Sequence, residues 1–367
     1  MYNWQFPEWP DFAYEVHEIQ PLILAFAQET GEISGAIQGL SDDLKKETLL
    51  QLMLSEAVKT SEIEGEYISR EDVMSSIRNN LGLNEKPVYV KDKRAEGVAQ
   101  LMLEVRRSFD QPLDVEMLHT WHGMLMAGAQ NINSGEWRKG SAPMQIVSGA
   151  YGRVVVHYEA PPSSEVPKQM QQFLQWYNNC TFSLKGEVAE AVLKSAVAHL
   201  YFESIHPFED GNGRIGRAIA EKALSQSLGR PVMLSLSKTI ERDKMAYYAA
   251  LKEAQRSIEI TNWVNYFAGV ILAAQRDAKA TVQFTVKKAR FFDQYKHQLN
   301  ERQLKVVNRM LEKGAEGFEG GMTARKYISI SKTSKATATR DLQELQVIGV
   351  LLQEGAGRSI RYQLNIP

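Results

Sequence analysis

Between residues 206 and 217 the chain reads His206-Pro207-Phe208-Glu209-Asp210-Gly211-Asn212-Gly213-Arg214-Ile215-Gly216-Arg217. The run before it, Glu187 to Ile205, has helical spacing, with Val188, Val192, Leu193, Ala196, Leu200 and Ile205 on one face. Helical spacing resumes from Gly213 to Leu228. The stretch is therefore a turn between two helices. Gly211 and Gly213 place no Cβ where the second helix begins, so its unpaired N–H groups and the positive end of its dipole face outward as an anion cradle. Arg214 and Arg217 fall on the first turn of that helix, where guanidinium forks reach a polyphosphate. Asp210 at the lip suits a Mg2+ ion shared with phosphate oxygens. His206, ending the first helix, has the ordinary pKa of a general base near neutrality. Alone, each piece has a bland explanation, since Gly-Asn-Gly is a common turn. Packing does not explain them all within twelve positions.

Working outward, the segment before the turn is helical almost throughout. Ser41-Asp42-Asp43 caps a helix carrying Leu44, Leu49, Leu50, Met53, Leu54 and Val58, and Gly65 stops it. Helical spacing recurs through Val98, Leu101, Met102 and Val105, and through Met117, Leu118, Trp121 and Leu125. Gln145-Ile146-Val147 and Arg153 to Tyr158, on either side of Ser148-Gly149-Ala150-Tyr151-Gly152, predict a β-hairpin. The opening residues Trp4, Phe6, Pro7, Trp9, Pro10 and Phe12 read as an aromatic cluster that packs onto a neighbouring domain. Beyond the turn, helices are predicted over Ile240 to Gln255 and Thr261 to Asp277 and on to about His297.

The last seventy or so residues change character. Glu301 to Lys313, a short helix from Met322-Thr323-Ala324, and Ser334 to Ile348 are followed by two short strands around Gly355-Ala356-Gly357, the order of a winged helix-turn-helix. From Glu301 onward the chain has eleven Lys+Arg against seven Asp+Glu. That modest excess leaves two partner classes open, DNA and protein. Ser334 to Ile348, the recognition helix, carries Lys335 and Arg340 against Asp341 and Glu344.

Over the whole chain of 367 residues the composition is that of a globular protein, 44% hydrophobic and 24% charged, with a formal net charge of -1. That balance excludes a wholesale nucleic-acid or membrane coat. No apolar run approaches the ~20 residues of a bilayer span, and no Lys or Arg precedes Lys45 to form a secretory leader's basic start. A cytoplasmic location is expected. The single cysteine, Cys180, fits a reducing compartment and has no activating base near it in sequence. His119 and His122 lie three apart on one helix, but no carboxylate or cysteine completes a metal site, and packing is their expected role.

The turn matches HxFx(D/E)GNGRxxR position for position, the signature of the Fic family. Ala198 to Ile205, Gly135-Glu136-Trp137-Arg138, the hairpin, Pro161-Pro162 and Tyr247-Tyr248 stand in the order that family has them. The chain thus resembles a Fic protein adenylyltransferase, and the resemblance implies a mainly α fold: an N-terminal helical segment over 1–95, a helical catalytic core with a small β-hairpin flap over 96–295, and a winged helix over 296–367. It implies transfer of AMP from ATP to a Tyr, Thr or Ser hydroxyl of a target protein, or of the chain itself. His206 would be the base and Asp210 the Mg2+ ligand. Gly211, Asn212, Gly213, Arg214, Ile215, Gly216 and Arg217 would contact the nucleotide phosphates. The flap residues Ile146, Val147, Ser148 and Gly149 would cover the nucleotide and align an extended target segment, with Tyr247, Tyr248 and Gln255 near the adenine. Thr60-Ser61-Glu62-Ile63-Glu64-Gly65 is similar to the family's inhibitory motif (S/T)xxxE(G/N), so Glu64 would hold Arg217 away from ATP. The alternatives left open are transfer of another phosphate-linked group, AMP removal, a nucleotide-sensing DNA regulator, and a homodimer.

Overall fold

The computed structural model describes residues 1–129, 132–148, 155–182, 184, 186–312, 314 and 317–366, with Ser148 and Arg358 described by backbone alone. The chain divides into two compact units, Met1–Glu32 with Leu49–Ala278, and Ile33–Thr48 with Lys279–Pro367. The elements are α1 (Gln20–Gln38), α2 (Asp42–Ile63), α3 (Arg70–Asn80), α4 (Lys93–Arg107), α5 (Val115–Leu125), β1 (Gln145–Ser148), β2 (Val155–Glu159), α6 (Val166–Asn179), α7 (Glu187–Ile205), α8 (Asn212–Ser227), α9 (Leu236–Arg242), α10 (Lys244–Ala254), α11 (Thr261–Tyr295), α12 (Glu301–Leu311), α13 (Ala324–Ser331), α14 (Lys335–Val347), β3 (Leu351–Glu354) and β4 (Arg361–Leu364). The protein is mainly helical.

In the first unit α7 is the central element. Every residue from Ser195 to Ile205 is buried, so the helix is surrounded rather than faced on one side as its apolar stripe alone predicts. One core joins its Ala198, Tyr201, Phe202 and Ile205 to Ile215 and Ile219 of α8, Trp121 of α5, Leu101 of α4, Phe173 of α6 and Leu54 of α2. The opening aromatic cluster docks there too. Asn3 Nδ2 donates to Ser204 Oγ at 2.8 Å, Trp4 Nε1 donates to the Glu159 carbonyl at 2.8 Å, and Trp9 meets the Tyr201 ring edge-on at 5.0 Å. The hairpin is antiparallel, Gln145 opposite Glu159 and Ser148 opposite Val155, with an irregularity between Ile146 and Val147.

Two predicted helices differ from those observed. The run from Ile240 to Gln255 is split by Asp243, which leaves helical geometry (φ -141°, ψ 64°) and turns its side chain to the Ala246 N–H as the cap of α10. The helix from Thr261 does not stop at Asp277 but runs 35 residues to Tyr295, because neither proline nor glycine interrupts the chain after Gly269.

Beside the end of α1, the start of α2 and the end of α11, the described residues of the second unit form α12 to α14 and then a two-stranded antiparallel hairpin, Leu351 opposite Leu364 and Glu354 opposite Arg361. Its core gathers Val306, Met310, Tyr327, Leu342, Leu345 and Tyr362. Asp341, on the helix read as the recognition helix, is buried and accepts from Arg302 Nε at 3.1 Å and the Tyr327 hydroxyl at 2.9 Å. It therefore holds the three helices together instead of facing outward. Among the described residues no helix is long and apolar enough to cross a membrane.

Candidate functional site

The turn between α7 and α8 is closed by its own side chains. Asn212 accepts from the Phe208 N–H and donates to the Phe208 carbonyl, both at 2.9 Å. Its amide is thus a staple inside the turn, and only its backbone is left to face a ligand. Gly211 caps α8 in the left-handed region (φ +80°), so the backbone conformation favours glycine there, while a Cβ would press only on the end of the flexible Met126 side chain.

His122, fully buried on α5, braces the same turn. Its Nδ1 accepts from the Gly135 N–H at 2.8 Å, which leaves Nε2 to donate to the Asp210 carbonyl at 3.2 Å, and its ring stacks on Phe208 at 4.0 Å. Burial pulls the imidazole down to about 4, so it is neutral at pH 7, as that pair of bonds demands. His119 meets Trp137 edge-on at 4.3 Å. Packing is thus the role of one histidine, and support of the Asp210 backbone is that of the other.

His206 ends α7 in the left-handed region (φ +51°), an uncommon state for a residue with a Cβ. Burial, and after it the Arg138 guanidinium, pulls its imidazole down to about 4. Its Nδ1 stands 3.9 Å from Glu203 Oε2. Glu203 is itself pushed up to about 8, by burial and then by the Glu64 carboxylate. Near pH 7 both groups are neutral, so this contact is no ion pair, and the imidazole is free to take up a proton. Arg138, which carried no role in the sequence reading, is buried beside His206 and donates from Nε to its carbonyl at 2.7 Å.

Asp210 keeps half its side-chain surface exposed, and its hydrogen bond from the Gly211 N–H and its 3.6 Å approach to Arg214 both use Oδ1. Among the described residues no group of three or more His, Cys, Asp and Glu could hold a metal alone. One half-exposed carboxylate beside a cradle for phosphate is the donor set Mg2+ accepts, because that ion keeps waters and takes further oxygens from a bound phosphate.

The cradle already holds a carboxylate. A Cβ built on Gly213 would lie 2.2 Å from Glu64 Oε1, so the acid occupies the space left by the missing side chain at the N-terminus of α8. Glu64 Oε1 accepts from Arg217 at 2.8 Å, and Arg217 also donates to the Thr60 hydroxyl at 2.8 Å and the Thr60 carbonyl at 2.9 Å. Burial works against the Arg217 charge, but the Glu64 carboxylate outweighs it and holds the guanidinium above its ordinary value. Two residues on, past Gly65 (φ +80°), Glu66 Oε2 accepts from Arg214 at 2.6 Å. One acidic turn thus neutralises both arginines of the motif. Glu66 went unread in the sequence, where nothing but its neighbour Glu64 pointed to it.

The remaining predicted residues divide. Tyr248 is half-exposed, its hydroxyl donating to the Ile63 carbonyl at 3.2 Å beside Glu64. Ile146 is half-buried and Val147 exposed on β1; only the backbone of Ser148 is described, and Gly149 lies outside the described residues. Tyr247, by contrast, is buried with its hydroxyl 2.8 Å from His199 Nε2, and Gln255 is buried and donates to the Glu203 carbonyl at 3.2 Å. Ile215 belongs to the core, and Gly216 turns toward α7, where a Cβ would meet Glu203 Oε1 at 2.4 Å. These four are thus occupied by contacts with α7 and the core. Cys180 is half-buried, and burial raises its thiol, which does not suit a nucleophile.

The profile of the Fic/DOC family matches residues 112–224, and that of a domain of unknown function, DUF4172, matches residues 2–83. The chain is 32% identical over 98 residues to a probable protein adenylyltransferase of Aquifex aeolicus (strain VF5), covering 27% of each chain. It is 25% identical over 211 residues to the protein adenylyltransferase Fic of Drosophila melanogaster, covering 56% of this chain and 38% of that one. The chain thus spans well under half the length of these relatives. A Fic family protein from Desulfovibrio desulfuricans G20 shares its fold at a TM-score of 0.55 and 22% identity, over 97% of this chain and 98% of that one. The turn from His206 to Arg217, with α7 before it and α8 as far as Leu224, lies inside the residues that the Fic/DOC profile matches.

Proposed function

We propose that the chain is a protein adenylyltransferase that moves AMP from ATP to a hydroxyl of a target protein and is restrained by its own acidic turn. The observation that carries this reading is the Glu64 carboxylate seated on Gly213 and Arg217, an anion held where the helix terminus and the arginines would receive a phosphate. His206, neutral near pH 7, takes the proton of the hydroxyl as its oxygen attacks the α-phosphorus, and the bond to the β-phosphate breaks so that pyrophosphate leaves. The backbone of Gly211 to Gly213 and the guanidinium groups of Arg214 and Arg217 orient the phosphates and meet the charge that develops on them. Asp210 would hold Mg2+, which supplies charge neutralisation at the phosphates. Tyr248, half-exposed beside Glu64, would meet the adenine. The exposed Val147 and Val155 of the hairpin offer a strand edge on which an extended target segment aligns its hydroxyl. The parts of this function are residues 1–95 for the brake, 96–295 for transfer and 296–367 for the winged helix.

The test is label transfer. Purified wild type and Glu64→Gly, incubated with α-labelled ATP, Mg2+ and a lysate, should label protein, the variant far more strongly. Label from γ-labelled ATP instead would point to phosphoryl transfer and overturn the reading.

Glu66 extends the brake. Arg214 is nearly inaccessible and Glu66 about a third exposed, so the pair is worth only ~1 kcal/mol after solvent screening, or about fivefold in rate. Glu66→Gln in the Glu64→Gly background should raise transfer by about that factor and lower the KM for ATP. Unchanged kinetics would confine the brake to Glu64.

For the second unit we propose a protein-contact role. On α14 Arg340 stands 3.8 Å from Glu344, which offsets its charge on that helix. The intact chain should therefore not retard DNA at low salt. Retardation that falls steeply with salt and is lost on deletion of residues 301–367 would make it a DNA reader instead.

A further inference from the structure

Arg138 is a buried cation whose hydrogen bonds all end on uncharged oxygens. Its backbone N–H donates to the Pro207 carbonyl at 2.8 Å, Nε to the His206 carbonyl at 2.7 Å, and one terminal nitrogen to the Ile205 carbonyl at 3.4 Å. One residue thus grips three successive carbonyls of the turn. Its other contacts run elsewhere, to the Ser163 hydroxyl at 2.8 Å and the Pro161 carbonyl at 2.5 Å, in the segment that leaves β2. Burial pulls the guanidinium down to about 10, which still leaves it charged at pH 7.

The grip falls where the backbone needs it. His206 sits at φ +51° without being a glycine, a strained state that persists only where its surroundings over-determine it. The Asn212 staple fixes the turn from Phe208 onward. Arg138 fixes the three residues before it. We propose that Arg138 is the positioning residue of the base, holding His206 in its left-handed state and tying that aim to the segment that leaves the hairpin.

The inference rests on His206 as the base, and adds a link by which the hairpin and the base move as one body. It also predicts an electrostatic signature. The groups facing His206 are Glu203 from α7, Arg138, the Glu64 carboxylate from the acidic turn, and Asp210 within its own turn. Arg138 is the one that opposes protonation by its charge, so its removal must move the imidazole upward.

The experiment compares Arg138→Met and Arg138→Lys in the Glu64→Gly background, with two readouts. In Arg138→Met, kcat should fall about 100-fold, the cost of an ångström-scale misplacement, while the KM for ATP stays within about threefold. Arg138→Lys keeps the charge and part of the grip and should recover part of that loss. The second readout is NMR titration of the His206 ring, its signal assigned by its absence in His206→Ala. The ring should titrate at higher pH in Arg138→Met and at the parental pH in Arg138→Lys. Parental kcat in Arg138→Met, or a ring that titrates unchanged in it, would overturn the proposal. Should Arg138→Met not fold, parental kcat in Arg138→Lys would overturn it alone. If the parent transfers no AMP, the functional reading fails, and the ring titration still decides whether Arg138 governs His206.

Discussion

Replacing Glu64 by glycine should raise AMP transfer about 30- to 150-fold, the factor that corresponds to restoring ~2 to 3 kcal/mol of transition-state stabilisation. The estimate starts from Arg217. Breaking a buried charge pair ordinarily costs ~3 to 5 kcal/mol, because the surviving partner is left unpaired. Here the arginine is not left so for long, since an incoming phosphate takes the place of the carboxylate and the N-terminus of α8 is released with it. The cost to the active state is therefore small, and most of what the carboxylate withholds is regained. Auto-adenylylation under saturating Mg-ATP measures it. Arg217→Ala should lose activity in either background, because the same guanidinium would serve the restrained and the active states. Equal rates for wild type and Glu64→Gly would return Thr60 to Gly65 to the role of a capped helix end.

His206→Ala lowers transfer by ~10² to 10⁴-fold, the range of a lost general base, and leaves ATP binding in place. The two effects separate because the cradle is built from the Gly211 to Gly213 backbone and two arginines, none of which hydrogen-bonds the imidazole. Mg-ATP should therefore shift the melting temperature of the variant as it does that of Glu64→Gly, while protein labelling disappears. Because burial and Arg138 hold the ring near a pKa of about 4, the imidazole of the parental enzyme is unprotonated well below neutrality. Its rate should hold from pH 7 down to about 5 and fall only as pH approaches that value. A limb near 6.5 would mean that the ring is solvated during turnover.

What the sequence made legible is what lies close together along it. The turn from His206 to Arg217 was readable because base, acid, glycines and arginines all fall within one loop and one helical turn, and α7 was bounded correctly by its own periodicity. The struts were not readable. Arg138 meets His206 across 68 positions and Arg214 meets Glu66 across 148, separations at which periodicity carries no information. Other omissions had a local signal. Ser69-Arg70-Glu71-Asp72 opens α3, where Ser69 accepts from the Asp72 N–H at 3.2 Å, and Asp243 announced the break before α10 by being a good cap inside an apolar run. Gly216 and Ile215 were given to the nucleotide because they stand within the motif. Their contacts point to α7 and the core, since a helix that presents one face to a ligand gives the other to its neighbours.

The bare Cα of Gly213 has a consequence for how the chain responds to its surroundings. The carboxylate above it is tethered to the same chain, so it competes with phosphate as a ligand at a fixed effective concentration, of millimolar order for a short tether, that no dilution can lower. Productive affinity for nucleotide is then divided by the fraction of molecules whose cradle is open. A chain open one part in a hundred needs about a hundredfold more nucleotide for the same productive occupancy. Under the proposed function the acidic turn would thereby set a threshold, and activity would become a graded readout of nucleotide supply or of any partner that draws the end of α2 away from Arg217.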